Sequence, residues 1–257
     1  MRKKDSRVEI IFEDDDIVVL SKPAGVYTIP DRYDKTAFNL YDYLNTKYEK
    51  IYTVHRLDKD TSGVMVFAKN AESHRNLNQQ FSEQKVNKKY HVVLTGVLRQ
   101  DEIDIDIPIS ENPSKKGLSM PSARGKESLT KLRVLERFRM ATFCECNLVT
   151  GRHHQIRVHC SAIGFPLLID EHYGNNIEFY LSSIKRRYNL KKKTEEKPVM
   201  DRITMHAYEL GFKHPRTGQE VSYRSEYPRD FSALLQVLRK YSALPDYSVY
   251  REKTHQE

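Results

Sequence analysis

A chain of 257 residues with 43 Lys and Arg against 35 Asp and Glu is basic, net +8, and has room for one large domain or two small ones. No apolar run approaches the roughly 20 residues that span a bilayer, and the charged start Met-Arg-Lys-Lys-Asp-Ser-Arg lacks the apolar core of a secretion signal. Three cysteines, an odd number, argue against a disulfide framework and for a reducing compartment, so cytoplasm is the expected location and no membrane contact is expected.

Apolar runs predict strands at Val8–Phe12 and Ile17–Leu20, with the acidic run Glu13–Asp16 as the turn between them. A helix is predicted over Ala37–Lys47, a strand over Val64–Ala68, and a helix over Ala71–Gln84, where Asn70 is the N-cap and Leu77 and Phe81 share a face. Strands follow at Tyr90–Val97 and Ile103–Ile107, then a pair at Leu129–Phe138 and Thr142–Val149. Helices are predicted over Arg152–Ile163 and Ile177–Tyr188. Strands Met205–Lys213 and Glu220–Arg224 flank a hairpin connection with Pro215 and Gly218, and a helix Arg229–Tyr241 closes the order. Most successive strands are joined too tightly for parallel crossovers. The expected class is α+β, with a large, mixed, mainly antiparallel sheet and flanking helices.

The excess charge sits in two segments. Residues 1–7 carry net +3 and residues 185–197 net +5, and the rest of the chain balances at 32 basic and 32 acidic groups. A basic tail and a basic loop suit phosphate contact through counterion release. Solvated, disordered segments would read the same way.

The stretch His55-Arg56-Leu57-Asp58-Lys59-Asp60-Thr61-Ser62-Gly63 places a carboxylate between basic side chains and a turn, just before a buried strand. Catalytic groups commonly sit on loops pinned to a rigid element, so Asp58 is the first candidate. Asp58 and Asp60 could be a metal pair, but hard cations need several oxygens and nothing nearby completes the set. Asp60 is read as structural or solvent-facing. His153, His154 and His159 with Cys160 invite a zinc reading. His154 and His159 are five apart, not four, and no second Cys pair follows, so no metal is expected. Cys144 and Cys146 alternate with Thr142 and Leu148 as small core residues. In the helix that Thr150 can cap and Gly164 ends, Ile156, Cys160 and Ile163 form the inner face; a guanidinium close to that face, Arg157, could reach a buried carboxylate, though by itself it reads as a surface arginine in a basic helix.

HRLD followed two residues later by TSG resembles the signature loop of the RluA family of RNA pseudouridine synthases. Ser21-Lys22-Pro23-Ala24-Gly25, Lys88-Lys89-Tyr90, the run from Thr150-Gly151-Arg152 to His159, Ile163–Leu168 with Tyr173-Gly174, and Ile203–Ala207 resemble the family's other motifs in order, across roughly residues 8 to 226. Ile169 stands where glycine is common, and Met205 where leucine is.

The resemblance implies the pseudouridine synthase fold over 8–245, with an active-site cleft across the sheet. It implies an isomerase that breaks the N1–C1′ bond of a uridine, turns the uracil and joins C5 to C1′, with no cofactor. Asp58 would be the catalytic carboxylate, and the sequence leaves open whether it attacks base or sugar or removes a sugar proton. Tyr90 would lie against the uracil, and Arg157 beside Asp58. His55, Arg56, Thr61, Ser62, Arg152, Gln155 and His206 would contact substrate, Arg56 in the space left by the flipped nucleotide. Structured RNA, ribosomal or transfer, is the expected partner, with no DNA and a monomer as the default. With a strand already at residues 8–12, an N-terminal S4 domain is not expected. A catalytically silent RNA-binding protein on this fold and an aspartate-dependent glycosidase are the rivals. The glycosidase would require a second carboxylate.

Overall fold

The computed structural model describes residues 8–32, 34–188 and 195–244. The basic tail 1–7 and Lys191, Lys192 and Lys193 lie outside these residues. The N-terminal half holds β1 (Glu9–Glu13), β2 (Ile17–Lys22), α1 (Leu40–Asn45), β3 (Tyr52–Thr53), β4 (Ser62–Ala68), α2 (Ala71–Ser82) and β5 (Asn87–Thr95). Then come β6 (Glu102–Asp106), β7 (Ile109–Glu111), β8 (Ser119–Pro121), β9 (Leu129–Arg137), β10 (Ala141–Leu148), α3 (Gln155–Ala162), β11 (Met205–Lys213), β12 (Glu220–Arg224) and α4 (Arg229–Tyr241).

Among the described residues, ten strands form one sheet in the order β1-β2-β4-β11-β5-β10-β9-β6, with β3 on β4 and β12 on β11. Only the β4–β11 ladder is parallel, which makes the sheet mixed but mainly antiparallel, as expected. Alternate residues of its central strands serve opposite faces. Val18, Leu20, Met65 and Phe67 pack on Leu40 and Leu44 of α1, and Ile17, Val19, Val64 and Val66 on Leu77 of α2. Likewise Val92, Cys144, Cys146 and Leu148 meet Ile156 and Cys160 of α3, while Val93 and Phe143 meet Phe231, Leu234, Leu235 and Leu238 of α4. Burial on both faces explains the near-continuous apolar runs of β2 and β4.

Helix starts follow their caps. Asn39 and Asn70 accept hydrogen bonds from Asp42 and Ser73 N–H, which fixes the start of α1 at Leu40, later than Ala37, and that of α2 as expected. Asp14 takes the turn between β1 and β2, accepting from the N–H groups of Asp16 and Ile17.

Two expectations fail. Ile177–Tyr188 is not a helix: it holds one 3₁₀ turn at Leu181–Ser183, because the backbone of Phe179 pairs with Met200 and Val199 instead of continuing a coil. Tertiary pairing outweighs local propensity there. Thr150 is not the cap of α3. Its hydroxyl accepts from Leu129 N–H and donates to Gln155 Oε1, and the helix starts after His154, held in the left-handed region at φ 55° with no side-chain cap. Gly164 ends α3 as expected, at φ +83°.

Candidate active site

The loop from His55 to Thr61 is held in place by residues upstream of it. Thr28 Oγ1 donates to Leu57 O and accepts from Leu57 N–H, at 3.0 and 3.2 Å. Gly25 N–H donates to Lys59 O at 2.9 Å. Lys22, fully buried, donates to the carbonyls of Pro23, Val26 and Lys59 at 3.1, 2.6 and 2.8 Å. Burial lowers its pKa to about 7, against the opposing pull of Asp60 and Asp58. Three donors on three carbonyls suit an ammonium. Asp60 O accepts from Arg202, a structural place for that residue. Asp58 thus rides on a loop fixed from below.

Asp58 lines a cavity of about 450 Å³, together with His55, Arg56, Thr61, Lys88, Tyr90, Arg152, His153, His154 and Gln155, with Leu148, Ile156 and Met205 as apolar wall. It is the only carboxylate lining that cavity among the described residues. The Thr61 hydroxyl there is buried and has no hydrogen-bond partner among the described residues. Tyr90 lies on the face of β5 that it shares with Val92. Burial and then the charge of Asp58 push its phenol well above the usual range, so the hydroxyl keeps its proton.

Arg157 is buried, and its guanidinium bonds a second carboxylate while staying within ion-pair reach of Asp58. Nε and Nη2 donate to the two oxygens of Asp170 at 2.7 and 2.8 Å. Nη1 lies 3.0 Å from His154 Nε2 and 4.0 Å from Asp58 Oδ2. His154 comes nearer to Asp58 than Arg157 does, with Nε2 at 3.5 Å from Oδ2. Burial and the charge of Arg157 lower the His154 pKa to about 2, so the imidazole is neutral. Its Nε2 then accepts from Arg157 and its Nδ1–H donates to Tyr173 Oη at 2.9 Å. Tyr173 Oη also accepts from Ser119 N–H, and its ring carries the guanidinium at 4.8 Å. Burial would raise the Asp170 carboxyl, but the bonds and charge of Arg157 outweigh it and hold it below the usual range.

Sequence reasoning missed His154, Asp170 and Tyr173 as one support behind Asp58. The legible signal was Asp170 itself, a carboxylate closing the apolar run Phe165–Ile169, since such a group needs a partner when buried.

Among the expected substrate contacts, Arg56 is exposed at the cavity rim and Arg152 is half-buried there, its Nε donating to Glu127 O. His55 stacks on Phe81 and accepts from Val66 N–H, and burial lowers its pKa to about 3. Gln155 lines the cavity, but its amide is spent on Thr150, Arg152 N–H, Leu129 O and Thr130. Neither Ser62 nor His206 lines the cavity. Ser62 Oγ bonds His206 Nδ1 at 2.9 Å and His206 Nε2 meets Ser225 O, a buried tie across β4 and β11. Cys144, Cys146 and Cys160 are buried core residues.

Ligand atoms of Asp58, His153 and His154 lie within 4.8 Å of one another. The Arg157 guanidinium at His154 Nε2 sets a positive charge where a cation would bind, so the group is a poor metal site. His159 is apart from it, held between Thr130 Oγ1 and Ile107 O. No helix among the described residues is long and apolar enough to cross a membrane.

Residues 16–162 match the RNA pseudouridylate synthase family. The chain is 38% identical over 244 residues to a ribosomal large subunit pseudouridine synthase D of Pseudomonas aeruginosa, covering 92% of this chain and 73% of that protein. An uncharacterized RNA pseudouridine synthase of Bacillus subtilis is 36% identical over 243 residues, covering 91% and 73%. The solved structure of human RNA pseudouridylate synthase domain containing 4 superposes with a TM-score of 0.70 at 25% identity, covering 90% of this chain and 93% of that one. These likenesses span both sides of the Asp58 cavity, and the chain belongs to the RluA family of RNA pseudouridine synthases, enzymes that isomerise uridine in RNA to pseudouridine.

Proposed function

We propose that this chain modifies uridine in ribosomal RNA of the large subunit, with Asp58 as the catalytic carboxylate, and that it works in the cytoplasm. The relatives named for large-subunit RNA support the substrate class. One observation carries the assignment of Asp58. It is the sole carboxylate lining the cavity among the described residues, on a loop fixed by Lys22, Gly25 and Thr28.

A uridine turned out of its stack enters beside Tyr90, whose ring offers the base a platform. The cavity wall of Leu148, Ile156 and Met205 excludes water while the N1–C1′ bond is broken and the uracil turns. As the N1–C1′ bond breaks, its electron pair leaves with the uracil, and Asp58 either bonds to the sugar or the base or removes a sugar proton. The Thr61 hydroxyl is free to meet a polar edge of the base. When C5 has joined C1′, the proton on C5 must leave to a base; the Tyr90 phenol keeps its own proton, so its role is a relay that takes the C5 proton as it gives its own to the Asp58 carboxylate. Arg56 stands at the rim, where the flipped nucleotide leaves its space. A glycosidase pair is disfavoured, since Asp170 is fully buried against Arg157 and does not line the cavity.

The test is incubation of the protein with uridine-labelled large-subunit ribosomal RNA. Pseudouridine is expected from the wild type and none from Asp58→Asn. Product from transfer RNA alone would overturn the substrate class.

A further inference from the structure

A second cavity, of about 340 Å³, adjoins the first and shares Phe81, Lys88, Gly151 and Arg152 with it. No carboxylate lines it among the described residues. Two cations therefore stand on the partition between the cavities. Lys88 is half-buried, and its ammonium has no hydrogen-bond or ion-pair partner among the described residues, whereas its neighbour Lys89 pairs with Glu209 at 3.0 Å. Among the described residues the Arg152 side chain is tied only through Nε, to Glu127 O at 3.1 Å, which fixes the arm and leaves its Nη groups for a ligand.

Gly151 lies beside them: a Cβ built there would stand in ordinary contact with Lys88 Nζ, at 3.5 Å. Burial and the charge of Arg152 both lower the Lys88 pKa, the mark of a cation lacking its counter-charge. Two like charges held at one edge without an acid call for an anion with several acceptor oxygens. Asp58 would repel such an anion from the first cavity, so it is placed at the partition and not beside the base.

We propose that Lys88 and Arg152 form a phosphodiester subsite on that partition, seating an RNA backbone phosphate that adjoins the target uridine while the strand continues along the second cavity. The inference rests on the reading of the chain as an enzyme acting on RNA. Lys88 lies two residues before Tyr90 on the same strand, so seating the phosphate also fixes how deep the base can reach toward Asp58.

The test measures binding of a synthetic RNA stem-loop with a single loop uridine, by Asp58→Asn protein, so that no turnover intrudes. A series of the same RNA carries one neutral methylphosphonate at each loop linkage in turn. At one linkage the neutral group should weaken binding by the Asp58→Asn parent and have no effect once Lys88→Gln is added. That variant should also lower the salt slope of binding by about 0.7 for the lost single-strand contact. Lys88→Arg should bind as the parent does. Arg152→Gln should lose sensitivity at the same linkage, which keeps the test open even if Lys88→Gln fails to fold. An unchanged salt slope, or an equal loss at that linkage with and without Lys88, would overturn the subsite. Pseudouridine formation by the wild type on the unmodified RNA is scored separately, so a failed reaction is distinguishable from a failed subsite.

Discussion

Arg157 closes a two-pronged contact on Asp170, at 2.7 and 2.8 Å, and stops 4.0 Å short of Asp58. The charge beside Asp58 is thus already balanced from behind. A bidentate pair between Arg157 and Asp58 would tie both carboxylate oxygens to the protein. With Asp170 taking that role, and neutral His154 accepting from the remaining Nη1, the Asp58 oxygens stay available to substrate while a positive field remains close.

Replacing Asp170 by Asn should therefore release Arg157 toward Asp58. Loss of one partner of a buried pair costs about 3–5 kcal/mol of stability. Turnover should fall by about a hundredfold, the scale of an ångström's misplacement at a reacting group, while RNA affinity changes little. Urea unfolding and single-turnover kinetics measure the two effects. Wild-type turnover in a destabilised protein would reduce Asp170 to a structural role.

Asp58→Asn keeps size and polarity but removes the negative charge. Folding and RNA binding should survive, and pseudouridine formation should be lost. A rate within about tenfold of wild type, under 1.4 kcal/mol in barrier, would mean the chemistry rests on another group.

Tyr90→Phe should keep the platform and lose the hydroxyl. If that hydroxyl relays the C5 proton, product release from the isomerised adduct slows, and activity falls with binding intact. Tyr90→Ala should lose binding as well, by about 1–3 kcal/mol of stacking. Near-normal turnover with Phe would leave Tyr90 as a platform only.

The long apolar or alternating runs were legible because period alone places them. Ile17–Leu20, Val64–Ala68 and Met205–Lys213 are strands as expected. The two- and three-residue strands β3, β7 and β8 are too short to carry a period. Asp58, Tyr90, Arg56 and Arg152 do meet at one cavity. What sequence could not supply was the competition for Arg157: two carboxylates were in reach of one guanidinium, and only packing decides which is bonded. The bond between His206 and Ser62 was hidden for a related reason, since a histidine and a serine in a motif read alike whether they face a ligand or each other.

Stability should fall as pH drops below about 6.5. Burial, as the first cause in each case, lowers the pKa of His55, His154 and His206 to about 3, 2 and 4. Each folded-state value lies below the unfolded one, so the unfolded chain takes up protons first as the solution acidifies. The neutral-imidazole contribution is complete above about pH 6.5 and is lost below it, by up to about 1.4 kcal/mol per pH unit for each histidine. Asp16, lowered to about 2 chiefly by its bond from Arg216, adds to the loss only below the ordinary carboxylate range, near pH 4. Urea midpoints between about pH 7 and 5 measure the slope. His206→Asn should reduce it by one histidine's share; an unchanged slope would mean that His206 protonates in the folded protein at its ordinary pKa.

Gly63 joins the halves of the site. Asp58 belongs to the loop leading into β4, Tyr90 to β5, and β11 lies between them, meeting β4 only at His206 opposite Ser62 and Ala207 opposite Gly63. Gly63 has φ +126°, and a Cβ there would stand 2.1 Å from Ala207 O, a backbone atom that cannot step aside. Gly63→Ala should force β11 away from β4 and cost about 3 kcal/mol or more, combining overpacking with backbone strain. Gly211→Ala, also on β11, meets Asn87 Cβ at 3.4 Å, Val221 O at 3.6 Å and Ser222 Oγ at 3.8 Å, ordinary contacts, and should be far milder. Below its unfolding temperature, the Gly63 variant should still lose turnover, because the seam sets the separation of Asp58 from Tyr90. Thermal melts and turnover of the two variants check this, and a Gly63→Ala enzyme that is folded and fully active would show that the separation is fixed elsewhere.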